Sequence, residues 1–314
     1  MSGMRADSRI VVTGGTGMVG AALVRVLREA GFGNVLAIGS AACNLLDWHE
    51  TRAFFAHHRP DHVFHVAARV FGLMGHMQNK GVAFLDNILI NTHTIEAARL
   101  AGVHKIVAMG SGCVYPDPAP GTPVTEDMVW AGSPHHGEDS YAHAKRAMLA
   151  QLISYQEQYD LPYAFVISGN MYGPDDKFVI EGGQVTPSLV RRFHAARTEG
   201  GDVSVWGTGR ARRDFMFSAD AGRAMLHIMQ HVEGAVNMGS SEVHSIRELV
   251  DILADITGLR DRVVWDANKP DGQDHRAYDL HRLFATGFRP RISFPEGLKL
   301  TYEAYAARAA AGKD

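Results

Sequence analysis

The stretch Arg9 to Gly31, "RIVVTGGTGMVGAALVRVLREAG", decides the fold. "RIVVT" is a short β-branched run ending at glycines, which predicts a buried strand. Val19, Leu23, Val26 and Leu27 then recur at helical spacing, and Gly31 ends the helix. Between the two lie Gly14, Gly17 and Gly20, in a G-x-x-G-x-x-G spacing. Glycine lets the backbone turn tightly and approach a pyrophosphate. The helix start at Met18 and Val19 offers N–H groups and the positive end of the helix dipole. Strand, glycine turn and helix in that order predict a dinucleotide-binding site.

Working outward, "NVLAIG", "DHVFHVAA", "KIVAMGS" and "YAFVIS" read as further strands. They are separated by helical stretches: "DWHETRAFFAHH", "FLDNILINTHTIEAARLAG" and "DSYAHAKRAMLAQLISYQEQYD". This alternation predicts a doubly wound parallel α/β sheet with right-handed crossovers. After Asn170 the pattern changes. Gly- and Pro-rich loops ("GPDDKF", "WGTGRARRDF", "DANKPDGQ") separate helices around "TPSLVRRFHAA", "DAGRAMLHIMQHV" and "SIRELVDILADITG". The expected organisation is a dinucleotide-binding domain over residues 1–170 and a smaller substrate lobe over 171–314. Some later segments are expected to return to the first sheet. The Ala-rich tail after Tyr302 reads as a fraying helix.

The composition sets limits. The 314 residues are 46% hydrophobic and 21% charged, which suits one large or two closely joined domains. A net charge of -3 supplies no basic field for nucleic acid or membrane. Two cysteines make no disulfide framework. No apolar run approaches the ~18–20 residues of a membrane span. A strand beginning by Arg9 leaves no room for a signal peptide. A soluble, cytoplasmic protein is expected. No HExxH or CxxC occurs, so no structural metal is expected.

In "YAHAK", Tyr141 and Lys145 are one helical turn apart and share a face. A tyrosine near pKa ~10 is a poor acid–base catalyst at neutral pH, and a neighbouring ammonium is expected to lower that pKa. Ser111 stands at the carboxyl end of the fourth strand, where ligands bind in such sheets, and can hydrogen-bond a substrate carbonyl that Tyr141 protonates. The second strand ends at Gly39, Ser40 and Ala41, with neither the acidic residue of an NAD site nor the basic one of an NADP site. Ser40 is placed to bond a 2′-phosphate, and Asp47 to meet the adenine. Arginines in "RARRDF" suit a diphosphate, because a guanidinium fork binds it bidentately.

Together these residues resemble the extended short-chain dehydrogenase/reductase family and, within it, the GDP-L-fucose synthase subfamily. The resemblance covers nearly the whole chain, through "TGGTGMVG", "FHVAARVFG", "NTHTIEAARLAGVHKIV", "GSGCVYP", "SYAHAKR", "GNMYGPDDKF", "VTPSLVRRFHAA", "VWGTGRARRDF" and "DANKPDGQ". The last four are specific to the subfamily. It implies a Rossmann fold and an NADPH cofactor, with NADH usable. The implied substrate is a GDP-4-keto-6-deoxy sugar. It also implies a homodimer through the helices containing "FLDNILINTHTIEAARL" and "YAHAKRAMLAQLISYQ". Ser111, Tyr141 and Lys145 become the reductase triad, with Lys145 also on the nicotinamide ribose. Ala67 and Ala68 lie against the cofactor. Asn170, Gln184, Val185, Arg192, Trp206, Arg213 and Lys269 hold the GDP-sugar.

Such enzymes invert C3 and C5 before reducing C4. Inversion needs a base on one side of the ring and an acid on the other. The resemblance makes Cys113 the base. The acid is a histidine in the family, and here that position is Gln184. An amide has no titratable proton near neutral pH. His135 and His136, in the loop before Tyr141, are the candidate substitutes. Phe71, Ser168 and Gly169 also replace the family's glycine, proline and threonine beside the sugar. The sequence therefore predicts a C4 reductase without epimerase activity, in which Cys113 merely lines the pocket. The bifunctional enzyme and a non-catalytic dinucleotide sensor are the alternatives.

Overall fold

The computed structural model describes residues 3–119, 122–179, 183–269 and 275–312. Glu181 and Gly182 of "EGGQVTPSLV", and the part of "DANKPDGQ" after Lys269, lie outside the described residues.

The first half alternates strand and helix. It runs through β1 (Ile10–Thr13), α1 (Met18–Glu29), β2 (Val35–Ile38), α2 (Trp48–His58) and β3 (His62–His65). A short α3 (Leu73–Gln78) precedes α4 (Lys80–Leu100), β4 (Lys105–Met109), α5 (Asp139–Tyr159) and β5 (Tyr163–Ser168). There follow β6 (Asn170–Tyr172), α6 (Val185–Glu199), β7 (Val203–Trp206), β8 (Arg212–Phe217), α7 (Ser218–His231) and β9 (Gly234–Met238). The chain finishes with β10 (Val243–Ser245), α8 (Ile246–Thr257), β11 (Val263–Asp266), β12 (His275–Arg276), α9 (His281–Phe284) and α10 (Phe294–Ala310).

Six strands form one parallel sheet in the order β2-β1-β3-β4-β5-β9. Successive residues of each central strand enter opposite cores. Val11, Val63, Ile106, Ala108 and Phe165 pack with Phe55, Ile95, Met148 and Leu152 of α2, α4 and α5. Ile10, Val12, Phe64, Val107 and Val166 pack with Leu23 and Leu27 of α1 and Ile228 and Met229 of α7. Burial on both faces is why these strands read as continuous apolar runs. Strand order reverses between β1 and β3, and ligands bind such sheets outside the carboxyl ends at that point.

β9 and α7 are segments after Asn170 that return to the large sheet. The remaining late elements build a second layer. β8 pairs with β10, β12 and β6, with Asn170 opposite Phe215, and β7 pairs with β11. Leu189, Phe193, Leu249, Leu253, Leu298 and Tyr302 make the core of that layer. Asp214 on β8 ties it to the end of β9, accepting from Ser240 N at 2.7 Å, Ser240 Oγ at 2.9 Å and Ser241 N at 3.3 Å. The tail is one helix from Phe294 to Ala310, anchored by buried Tyr302 and Tyr305. α3 has no apolar periodicity to announce it and carries Gly75 in its middle.

Candidate active site

β1 ends in a turn at Gly14, with φ 66°. A Cβ there would lie 2.8 Å from Ala67 N, and one at Gly20 would lie 2.0 Å from Gly14 O. Only glycine lets the turn, α1 and the chain after β3 close on each other. Gly17 caps α1, no side chain occupies the cap, and its own Cβ direction meets only Gly14 O at 3.4 Å. Met18 and Val19 thus present their N–H groups at an open helix start, which fits a dinucleotide pyrophosphate. Ala67 N donates to Thr13 Oγ1 at 3.3 Å. That hydroxyl bonds His65 Nδ1 at 2.8 Å, and His65 Nε2 donates to Asn91 Oδ1 at 3.0 Å. Burial drives the His65 pKa down to about 3, so this strut is uncharged.

Ser40 is exposed in the turn after β2. Asp47 is the N-cap of α2: its Oδ1 accepts from Glu50 N at 2.9 Å, and that bond lowers its pKa. Its carboxylate thus has a local structural task of its own.

The chemistry gathers where α5 meets the end of β4. Ser111 is partly exposed, and its Oγ accepts from Cys113 N at 3.4 Å, opening a short 3-10 turn over Gly112–Val114. Two side chains from α5 pin that region. Lys145 Nζ donates to Met109 O at 2.8 Å, and Arg146 Nε donates to Val114 O at 2.8 Å. Tyr141 packs in one apolar cluster with Cys113, Ala83, Ala142, Ala68 and Phe71. Lys145 Nζ lies 5.7 Å from the Tyr141 ring centroid.

Burial dominates both ionisable groups. It raises the Tyr141 pKa well above its ordinary value, with the neighbouring Cys113 and Glu138 adding to the rise. It lowers Lys145 to about 8, against a smaller opposing effect of Cys113. The expected depression of the Tyr141 pKa by Lys145 is therefore corrected: in the free chain burial sets the direction of the shift, and it is upward. Tyr141 is a neutral phenol, the form able to give a proton. Tyr278 braces the Ser111–Cys113 turn from behind, because a Cβ on Gly112 would meet its hydroxyl at 2.0 Å.

Gln184 stands at the N-cap position of α6 and donates from Nε2 to Phe71 O at 3.3 Å. Opposite it, Phe71 N donates to His76 Nε2 at 3.3 Å, and the His76 ring lies 5.0 Å from the Tyr141 ring at 35°. His76 was not among the residues singled out from the sequence, although its segment follows the carboxyl end of a parallel strand. His135 and His136 lie side by side before α5, their rings 4.9 Å apart. His135 Nδ1 accepts from Gly137 N at 3.2 Å, and the backbone carbonyl of His136 accepts from Lys80 Nζ at 2.6 Å.

In the second layer, the Arg192 guanidinium lies 5.8 Å and Lys269 Nζ 5.3 Å from the ring of Trp206, whose side is open to solvent. Two cations around an exposed indole suit a stacked base carrying phosphates. Val185 is partly buried at the start of the helix that carries Arg192. Arg213 sits on β8, two residues before the partner of Asn170, and donates to Arg212 O at 2.7 Å.

Residues 10–239 match the NAD dependent epimerase/dehydratase family. The chain is 34% identical over 307 residues to the GDP-L-fucose synthase of Escherichia coli (strain K12), covering 94% of this chain and 95% of that one. It superposes on a GDP-6-OMe-4-keto-L-xylo-heptose reductase from Campylobacter jejuni with TM-score 0.92 at 26% identity, over 98% of this chain and 99% of that one. A GDP-mannoheptose C4 reductase from the same organism, solved with NADP bound, gives TM-score 0.88 at 27% identity, over 96% and 99%. Among the described residues, no helix is long and apolar enough to cross a membrane.

Proposed function

The chain belongs to the NAD dependent epimerase/dehydratase family, and from that premise we propose that it is an NADPH-dependent reductase of the C4 ketone of a GDP-4-keto-6-deoxy sugar, without C3/C5 epimerase activity. The observation that carries the reading is the buried Tyr141–Lys145 pair held against the Ser111 turn. When bound, NADPH supplies the hydride. Ser111 donates its hydroxyl hydrogen to the ketone oxygen. Tyr141, kept neutral by burial, gives its proton to that oxygen as negative charge develops there. The Lys145 ammonium stabilises the phenolate that remains. Arg192, Arg213 and Lys269 meet the diphosphate, and Trp206 stacks on the base.

No acidic residue closes β2 to repel a 2′-phosphate, and no basic one attracts it. Preference for NADPH over NADH is accordingly small. A kcat/KM for NADH more than about tenfold above that for NADPH, ~1.4 kcal/mol, overturns the cofactor choice. Loss of epimerase activity rests on Gln184, which has no titratable proton and is bonded to Phe71 O. The bifunctional reading is favoured by one observation, the thiol of Cys113 in the cluster around Tyr141. A homodimer through α4 and α5 belongs to the same proposal. It is supported by Val82, Phe84 and Leu85 lying exposed on α4, and a monomer by light scattering at micromolar concentration would remove it. The deciding experiment follows NADPH oxidation with a panel of GDP-4-keto sugars and identifies the product. No oxidation with any of them sinks the reductase reading.

A further inference from the structure

His76 is 3% exposed, on the underside of α3 against the Tyr141 ring. Its Nε2 faces Phe71 N at 3.3 Å. A backbone N–H only donates, so Nε2 is the bare acceptor nitrogen and the single hydrogen of the neutral ring is on Nδ1. Burial, the largest influence on this group, lowers its pKa and keeps the ring neutral, against the opposing Glu138 carboxylate. Nδ1 is buried and has no protein partner. A buried donor left without an acceptor is destabilising, and native proteins keep few of them. Nothing in the packing of α3 demands a polar ring here, since Phe71 and Tyr141 offer it aromatic faces at 5.5 and 5.0 Å.

The residue that holds the ring is itself held. Gln184, at the start of α6, fixes Phe71 O, and Phe71 N fixes His76 Nε2. The N–H at Nδ1 is therefore presented in a set orientation within the layer of residues around Tyr141, the group that protonates the reacting oxygen. We infer that His76 is a sugar-binding residue: it donates Nδ1–H to an oxygen of the sugar next to the carbon reduced at Tyr141, and so selects the sugar that the site accepts. This rests on the reading of the site as a GDP-sugar reductase. With its hydrogen on Nδ1 and its ring neutral, His76 acts as a hydrogen-bond donor and gives up no proton.

The test is binding, so it does not depend on turnover. Titration calorimetry with GDP and with GDP-mannose measures how much the sugar adds to affinity. His76→Asn keeps an N–H at the same number of bonds from the backbone. His76→Leu removes the donor and fills the space. In the wild type and His76→Asn, GDP-mannose is expected to bind more tightly than GDP by a similar factor. In His76→Leu that factor should fall about fivefold to tenfold, the worth of one net hydrogen bond, while the Kd for GDP stays within about twofold. Should His76→Leu lose GDP binding as well, His76→Phe replaces it as the donor-free variant. An undiminished sugar factor in the donor-free variant overturns the inference. So does a wild type with no sugar-dependent gain, or a His76→Asn as weak as His76→Leu, since the ring and not the donor would then matter. NADPH oxidation by the wild type is scored separately: its absence removes the reductase reading, and the binding ratio alone judges His76.

Discussion

The Tyr141 end of the candidate site and its Trp206 end are built by opposite means. At the first, Tyr141, Lys145, His65 and His76 are all nearly closed to solvent, and burial is the largest influence on the pKa of each. At the second, the indole of Trp206 is 49% exposed, flanked by Arg192 and Lys269, and solvent screens the charges. On the proposed function, the buried end controls where protons sit and the exposed end supplies affinity for a charged nucleotide. The two ends should therefore fail differently when altered.

The largest effect is expected from Tyr141→Phe, which removes the proton donor and leaves the packing. kcat should fall by ~10²–10⁴-fold with the Kd for NADPH unchanged. Wild-type turnover in that variant would refute the assignment of Tyr141. Next comes Trp206→Ala, which should weaken GDP binding by about tenfold to a hundredfold, the worth of stacking one base. Binding of GDP should weaken further as salt rises from 50 to about 500 mM, while kcat at saturating substrate stays level. A kcat that falls with salt as steeply as affinity would erase the distinction between the ends.

Lys145 gives a prediction in pH. Its folded pKa of about 8 lies below the ordinary 10.5. Between those values the unfolded chain holds a proton that the folded chain has lost, so stability rises with pH across that window. Below about 8 the full cost of the buried charge remains. At pH 7, Lys145→Met should stabilise the fold by on the order of 1–3 kcal/mol, the pKa displacement less the lost bond to Met109 O, while abolishing most activity. In the wild type, kcat should fall by about tenfold per unit above pH 8 as the ammonium is lost. Thermal melts showing Lys145→Met less stable at pH 7 would mean that the bond to Met109 outweighs the burial cost.

How much of this was legible in the sequence also divides along the same line. The glycine turn, the first five strands of the parallel sheet and the Tyr141–Lys145 spacing follow from local periodicity and glycine chemistry, and they appear where the sequence placed them; the sixth strand, β9, was expected only as an unspecified later segment returning to the sheet. Arg192, Trp206 and Lys269 were legible as members of a pattern, and the fold brings them together from α6, β7 and the loop after β11. The direction of the Tyr141 pKa was not legible, because a four-residue spacing tells of a neighbour and nothing of desolvation. His76 and Tyr278 were not legible either. Each acts through a contact between segments far apart in the chain, His76 with Tyr141 and Tyr278 with Gly112. No repeating pattern within α3 or the stretch before Leu280 announces such a contact.

The smallest expected effect concerns Cys113, and it decides whether the buried end performs one reaction or two. The thiol lies in the cluster around Tyr141 and is 5% exposed. Inversion at C3 or C5 needs an acid across the ring from it, and Gln184 offers an amide committed to Phe71 O. His135 Nδ1 accepts from Gly137 N, His136 meets Lys80 only through its backbone carbonyl, and His76 keeps its proton. On the proposed reading, in which Gln184 supplies no proton, a proton drawn off by Cys113 would have no replacement on the other face. Cys113→Ser should then change kcat for reduction by less than about threefold, since the thiol is a smaller influence than burial on both Tyr141 and Lys145. Run in D₂O, the reaction should give a product without solvent deuterium at C3 or C5 beyond the exchange seen without enzyme. Enzyme-dependent deuterium at either carbon in the wild type, lost in Cys113→Ser, would show that inversion survives and that Cys113 is its base. His76→Asn would then be the next variant to assay in D₂O, because His76 is the histidine in contact with Tyr141.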